Sequence, residues 1–308
     1  MKECLVIGFG SIGKRHTEVL QSLGHRVSIV SRHLESSVGL PVYRSVNEAF
    51  ADRAFDYIVI AVATKDHADF LRQVLPFLGK NAVCFVEKPI FSVPSERVDW
   101  GDAKICVGYV MRAHPLLRKV KRILAGQKLY SCHASCGQYL PTWRPGTDYT
   151  KCYSAKRNLG GGVLRDLSHE LDYMQMLCGK WEKVTAIGGK FSDLQIDSDD
   201  QYGILFSSEK CPLCMCHVDY LARNTHRTLA VEYEGGSILL DLVAGTLLHN
   251  GVLEKITLER NDLFRTMHQE LMEYDLSYFP DGDEAFATLQ LLDAAEKTAG
   301  RDMWIKNQ

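Results

Sequence analysis

The sequence predicts an α/β fold whose first part is a parallel sheet covered by helices, followed by an α+β part built on an open, largely antiparallel sheet. Three observations carry this. Up to about residue 118, short and continuously apolar runs alternate with amphipathic stretches, as strands buried on both faces do. A glycine-rich turn, Gly8-Phe9-Gly10-Ser11-Ile12-Gly13, stands directly after the first of these runs. Beyond it, strand-like segments follow one another closely, with turns such as Glu234-Gly235-Gly236 and Asn250-Gly251 between them, which is a hairpin pattern.

Taken in order, residues 3–8 read as a buried strand and 12–23 as the helix after it. Strands are expected at 27–31, 57–63 and 82–87, with helical stretches at 46–51 and 68–77. In the second part, 116–124 and 163–178 read as helices and 129–138 as a strand. Residues 140–162 form a loop rich in aromatics, Pro and Gly. Strands are then expected at 183–191, 202–206, 212–221, 227–234, 237–243 and 252–259, and helices at 262–274 and 283–298. This divides the chain into a dinucleotide-binding domain, 1–118, and a substrate and oligomerisation domain, 119–308, with the last helix (283–299) expected to pack back on the first domain.

A chain of 308 residues suits two domains. With 46% hydrophobic and 24% charged residues and a formal net charge of -2, neither a nucleic-acid partner nor a membrane-surface partner is expected. No apolar run approaches the roughly 20 residues that span a bilayer. Met1-Lys2-Glu3 leads straight into an apolar strand rather than a signal peptide, so a cytoplasmic address is expected. The 10 cysteines then read mainly as small buried hydrophobes. Cys211-Pro-Leu-Cys214-Met-Cys216-His217 contains one C-x2-C pair, whereas a zinc site normally takes two separated pairs. Cys214 and Cys216 also alternate with Met215 and His217, as in a strand with one buried face. No metal is expected.

The glycine motif gains meaning from its context between a strand and a helix. The first glycine permits the tight turn, the second lets backbone approach a pyrophosphate, and the third lets helix and strand pack closely. The helix N-terminus offers free N–H groups and a partial positive charge to phosphates. Gly8, Gly10, Ser11, Ile12 and Gly13 are therefore candidate cofactor residues. NAD-preferring folds usually carry Asp or Glu at the end of the second strand. Here that strand ends in Ser31-Arg32-His33, a corner suited to a 2′-phosphate. NADP(H) is favoured on this ground, with NAD(H) open through Glu35 or backbone contacts.

Further motifs occur in order: Ala63-Thr64 with His67, Glu87-Lys88-Pro89, Gly108-Tyr109 with Arg112 and His114-Pro115, and Gly160-Gly161-Gly162 leading to Asp166-Leu167-Ser168-His169. Together with Gly8–Gly13 they resemble the Gfo/Idh/MocA oxidoreductases, the glucose–fructose oxidoreductase and inositol dehydrogenase family, over nearly the whole chain. The resemblance implies that Lys88 lies beside the nicotinamide and the reacting hydroxyl, that Asp166 and His169 face it, and that the Lys88–Pro89 bond is cis. It adds Thr64, His67, Glu87, Lys88 and Arg112 to the cofactor side and Tyr109 to the substrate side. It also implies a homodimer or homotetramer formed through the C-terminal sheet. Many members space the catalytic Asp and His by four residues, yet the residue four before His169 is Arg165. Asp166 stands three before, a spacing that still shares a helix face.

The segment from Tyr139 to Tyr149, with Tyr153-Ser154-Ala155 beyond it, is similar to a subgroup associated with cell-surface sugar biosynthesis. Trp143, Tyr149 and Tyr153 can stack on sugar rings, and Arg144 and Asp148 can hydrogen-bond hydroxyls or a charged group. A self-packed lid is the alternative for this loop. The function implied is hydride transfer between a nicotinamide and a secondary alcohol or ketone of a sugar or sugar nucleotide. His169 serves as general base in the oxidation direction, Asp166 orients it or binds a neighbouring hydroxyl, and Lys88 polarises the oxygen. Two alternatives stay open: an NAD-dependent glycosidase that oxidises its sugar only transiently, and a non-catalytic NADP-binding regulator.

Overall fold

A computed structural model of the chain describes residues 1–32, 34 and 39–307. By backbone contacts it forms two compact units, Met1–Ala113 with Glu259–Phe286, and His114–Leu258 with Ala287–Gln308. The single boundary read at 118 is therefore replaced by a chain that returns to the first unit for residues 259–286. The last helix begins in the first unit and continues in the second.

Among the described residues the first unit carries six parallel strands: β1 (Glu3–Ile7), β2 (Arg26–Val30), β3 (Val42–Tyr43), β4 (Tyr57–Ile60), β5 (Val83–Val86) and β6 (Lys104–Val107). Their order is β3-β2-β1-β4-β5-β6, the doubly wound arrangement of dinucleotide-binding sheets. The helices α1 (Ser11–Ser22), α2 (Val46–Asp52) and α3 (His67–Val74) cross between strands. The sheet is parallel throughout, so its strands are covered on both faces and read as apolar runs; β4 and β5 are buried at every position. The two-residue β3 escaped the sequence reading because so short a run carries little pattern, and β6 was not read as a strand either.

In the second unit α4 (Pro115–Ile123) precedes β7 (Leu129–Gly137), then α5 (Leu140–Trp143), α6 (Val163–Asp166) and α7 (His169–Cys178). The strands β8 (Trp181–Gly189), β9 (Gln201–Ser208), β10 (Cys214–Asp219), β11 (His226–Tyr233), β12 (Gly236–Asp241), β13 (Thr246–His249) and β14 (Val252–Lys255) follow. The helix α8 (Asp262–Met272) belongs to the first unit. α9 (Gly282–Thr298) and β15 (Ile305–Lys306) end the chain. The sheet order is β14-β13-β12-β11-β7-β10-β9-β8-β15. It is antiparallel except for the parallel β7–β10 pair. The β13–β14 hairpin turns on Asn250 (φ 48) and Gly251 (φ 82), the left-handed pair that a two-residue turn requires. The expected helix over 163–178 is broken at Leu167 and Ser168 into α6 and α7. Among the described residues, no helix is long and apolar enough to cross a membrane.

Candidate active site

In the first unit the glycine turn has the geometry that its spacing predicts. Gly8 adopts φ +97, and a Cβ there would lie 2.6 Å from the Ala61 carbonyl oxygen at the end of β4. A Cβ on Gly13 would meet the Gly8 carbonyl oxygen at 2.2 Å, so helix and turn touch without room for a methyl. Gly10 is different: nothing stands within 4 Å of where its Cβ would be. Its open side and the N-terminus of α1, which begins at Ser11, suit an approaching pyrophosphate.

Gly8, Phe9 and Gly10 form part of the wall of an open cleft of about 670 Å³ that also takes in Val30, Ser31, Arg32, Arg44, Ser45, Asp66 and Asp69. This is room enough for a dinucleotide moiety. The Ser31 hydroxyl accepts from Leu34 N at 3.2 Å and Arg32 is exposed. His33 and Glu35, the other candidates at this corner, lie outside the described residues. Arg44 was not anticipated. Its guanidinium donates to the carbonyls of Leu34 (2.8 Å), Arg32 (3.2 Å) and Ser31 (3.3 Å) and so shapes the segment that carries Arg32. Sequence spacing from the glycine motif gives no sign of it, because β3 brings it back beside β2.

Glu87 and Lys88 follow β5, and the Lys88–Pro89 peptide bond is cis. Lys88 N donates to Glu87 Oε2 at 3.1 Å. Glu87 Oε1 lies 2.8 Å from His16 Nε2, His16 Nδ1 lies 2.8 Å from His268 Nε2, and His268 Nδ1 lies 3.0 Å from the Tyr57 hydroxyl. With both imidazoles neutral, each has one donor and one acceptor. The bonds then run one way, from the Tyr57 O–H to the Glu87 carboxylate. Burial pushes the His268 pKa well down, and the neighbouring His16 adds to it. Burial pushes Glu87 up, but the hydrogen bonds from His16 and from the Lys88 backbone and the charge of Lys88 act against it, and the net shift is downward. A carboxylate that only accepts thus anchors the backbone of Lys88. His268, from α8, was missed because it stands 252 residues from His16.

His67 sits at the start of α3, buried, with ring nitrogens 3.0 Å from the Pro89 carbonyl and 3.3 Å from that of Val62. It ties the two loops together, and burial lowers its pKa. Thr64 is buried beside it. Arg112 is 4% exposed and donates to Glu284 Oε2 at 2.7 Å and to the Tyr278 carbonyl at 3.4 Å, within the same unit. Tyr109 is fully buried.

In the second unit, Asp166 ends α6 and His169 starts α7, so they do not share one regular helix face. The Tyr220 hydroxyl donates to Asp166 Oδ2 at 2.6 Å. Arg165, four residues before His169, forms a bidentate pair with Glu296 (3.1 and 2.8 Å) and serves as a brace to α9. Glu170 pairs with Arg227 at 2.8 Å, which pins the first turn of α7, and with it His169, to β11. Asp199 is buried; its Oδ2 accepts from Leu164 N at 3.1 Å, and its carbonyl accepts from Val163 N. A Cβ on Gly162 (φ +133) would meet Asp199 Oδ1 at 2.3 Å, so the glycine run serves to admit this carboxylate. Burial raises the Asp199 carboxyl to about 6.

The aromatic loop packs on itself. Trp143 lies against Tyr220 with ring centroids 5.7 Å apart. The Tyr153 hydroxyl donates to the Gly160 carbonyl at 2.7 Å and the Tyr149 hydroxyl accepts from Gln195 N at 3.3 Å. Asp148 accepts from Thr150 N and Oγ1, and Arg144 is exposed. The pocket among Leu140, Trp143, Arg144, Thr147, Tyr149, Cys152 and Ser154 holds about 10 Å³, enough for one water and not for a sugar ring.

Two family models match the chain. Residues 2–104 match the oxidoreductase family with an NAD-binding Rossmann fold. Residues 117–239 match the GFO/IDH/MocA C-terminal domain. The chain belongs to the Gfo/Idh/MocA family. It is thus an NAD-binding oxidoreductase of that family, and the open, mostly antiparallel sheet is the family's second domain. Solved Gfo/Idh/MocA-like structures match its fold end to end. GenD2 from gentamicin A biosynthesis, solved in complex with NAD, has a TM-score of 0.80 at 20% identity, covering 99% of this chain and 96% of that one. A myo-inositol dehydrogenase from Corynebacterium glutamicum has 0.78 at 19% identity, covering 99% and 98%. The WlbA dehydrogenase from Bordetella pertussis, in complex with NADH and UDP-GlcNAcA, has 0.78 at 17% identity, again covering 99% and 98%. A comparison with curated protein sequences finds no match.

Proposed function

We propose that this chain is an NADP(H)-preferring oxidoreductase that moves hydride between the nicotinamide and a secondary alcohol or ketone of a sugar or sugar nucleotide in cell-surface carbohydrate synthesis. The observation that carries the reading is the cleft at the end of β2, where Arg32 and Arg44 stand beside the Gly8–Gly10 turn. NAD-preferring folds place a carboxylate there to hold the ribose hydroxyls. The sugar half rests on the likeness to a myo-inositol dehydrogenase and to a dehydrogenase solved with UDP-GlcNAcA.

When bound, the nicotinamide supplies the hydride donor or acceptor. The N–H groups at the start of α1 would hold its pyrophosphate, and Ser31 and Arg32 its 2′-phosphate. Lys88, set in place through Glu87, puts positive charge at the substrate oxygen, where negative charge grows during oxidation. His169 takes the hydroxyl proton in that direction and returns it in the other. Asp166, steadied by Tyr220, orients His169 or an adjacent substrate hydroxyl.

Fluorescence titration of the purified chain with NADPH and NADH tests the cofactor, and turnover on a panel of nucleotide sugars tests the reaction. NADPH should bind more tightly, and Arg32→Ala should weaken it about 10- to 100-fold while leaving NADH unchanged, since a charge-assisted hydrogen bond contributes about 1.5–3 kcal/mol. Lys88→Ala should lower kcat about 10²- to 10³-fold. Tighter NADH binding would overturn the NADP preference. Product formation without net cofactor turnover would point to the glycosidase, and a biological activity that survives Lys88→Ala and His169→Ala would point to the regulator.

A further inference from the structure

The structure assigns a role to the cysteines that the oxidoreductase chemistry does not use. Cys178 is the last residue of α7, Cys211 lies in the turn joining β9 to β10, and Cys214 opens β10. Their sulfurs lie within 4.8 Å of one another, and all three residues are buried. Cys132, in β7, is the register partner of Cys214 and is fully buried. The C-x2-C pair that lacked a second pair in the sequence thus finds its complement in two cysteines from separate elements.

The backbone holds this arrangement independently of the sulfurs. Lys210 N donates to the Cys178 carbonyl at 2.9 Å, as does the Ser208 hydroxyl, and Ser208 N donates to the Cys211 carbonyl at 3.0 Å. The turn is therefore clamped to the end of α7. The sulfurs of a tetrahedral zinc–thiolate centre stand roughly 3.8 Å apart, given a Zn–S bond of about 2.3 Å, so only a small contraction separates the sulfurs of Cys178, Cys211 and Cys214 from that spacing. We propose that Cys178, Cys211 and Cys214, with Cys132 as fourth ligand, form a closed site for a structural Zn²⁺ ion that fastens α7 to the β7–β10 strands. Each thiol releases its proton to solvent as its sulfur binds, and no electron is transferred. A buried, all-sulfur set favours zinc among the common divalent ions. The second group of possible ligands among the described residues, His217, Asp219 and His226, is already used: His217 Nε2 lies 3.1 Å from Gln201 Nε2 and His226 Nε2 lies 2.9 Å from Ser135 Oγ.

The test is elemental analysis of the full chain purified without chelators, with Co²⁺ titration of the reduced, metal-free protein. One zinc per chain is expected, with the sulfur-to-cobalt charge-transfer and intense visible bands of tetrahedral cobalt thiolate. Cys178→Ser and Cys211→Ser should each lower bound zinc at least tenfold, while Cys152→Ser, outside the cluster, should leave it unchanged. A chain that arrives zinc-free and gives no cobalt–thiolate bands overturns the proposal without any variant having to fold. So does a disulfide between two of these cysteines in the protein as isolated, or zinc retained by folded Cys178→Ser and Cys211→Ser variants.

Discussion

Asp199 shows how much a single buried side chain can carry. Its carboxylate holds the start of α6 and occupies the space that Gly162 leaves open. Burial raises it from an ordinary 3.8 to about 6, so between those values the folded chain binds more protons than the unfolded one. Stability due to this group therefore falls as pH rises from 3.8 to about 6 and then levels off. Asp199→Asn keeps an acceptor for Leu164 N and removes the titration. The variant should gain on the parent by up to about 3 kcal/mol across that window, read as the difference in urea midpoints at pH 4 and pH 7; parallel pH profiles would refute the assignment. The chain from Tyr57 through His268 and His16 to Glu87 makes the same point for the Lys88 side. Two histidines from distant segments fix a carboxylate whose neighbour is proposed to do the chemistry.

At the scale of elements, the glycine turn separates folding from binding. Gly13→Ala would put a methyl 2.2 Å from the Gly8 carbonyl oxygen. A backbone atom cannot swing aside, so this variant should lose about 3 kcal/mol of stability together with cofactor binding. Gly10→Ala meets nothing within 4 Å and should unfold at the parent's urea concentration. It should nonetheless bind NAD(P)H about tenfold more weakly, because its methyl stands where the pyrophosphate approaches. Equal stability losses in the two variants would refute this division. The break at Leu167 and Ser168 belongs here as well. Residues 163–178 have helix-forming composition throughout, yet the hydrogen bonds from Val163 N and Leu164 N to Asp199 and the pairing of Glu170 with Arg227 set two short helices in different places. Periodicity along the chain carries no record of such partners.

For the molecule as a whole, the return of residues 259–286 matters most. Phe264, Met267, Leu271 and Met272 of α8 join Val6, Leu20, Tyr57 and Phe85 in one core, and His268 closes the polar chain within it. A fragment of residues 1–118, the domain that the sequence suggests, would leave that core open. It should lack a cooperative thermal transition by circular dichroism, whereas the full chain should show one; a sharp transition in the fragment would show that α8 is dispensable.

The sequence by itself determined the fold class, the glycine cradle after β1 and the alternation of Cys214 and Cys216 on one strand face, while its ordered motifs carried the resemblance to the family, which in turn implied the cis Lys88–Pro89 bond. These features are local, written in the spacing of a few neighbours, in apolar periodicity, or in glycines that their own turns demand. Only the tertiary structure decided which unit holds residues 259–286, that Arg165 braces Glu296 while Asp166 takes a hydrogen bond from Tyr220, that Arg44 stands beside Arg32, and that Cys132 and Cys178 meet the C-x2-C turn. Each of these depends on segments far apart in the chain. Burial and packing bring them together after the local pattern has been read, and many different long-range pairings are compatible with the same local pattern.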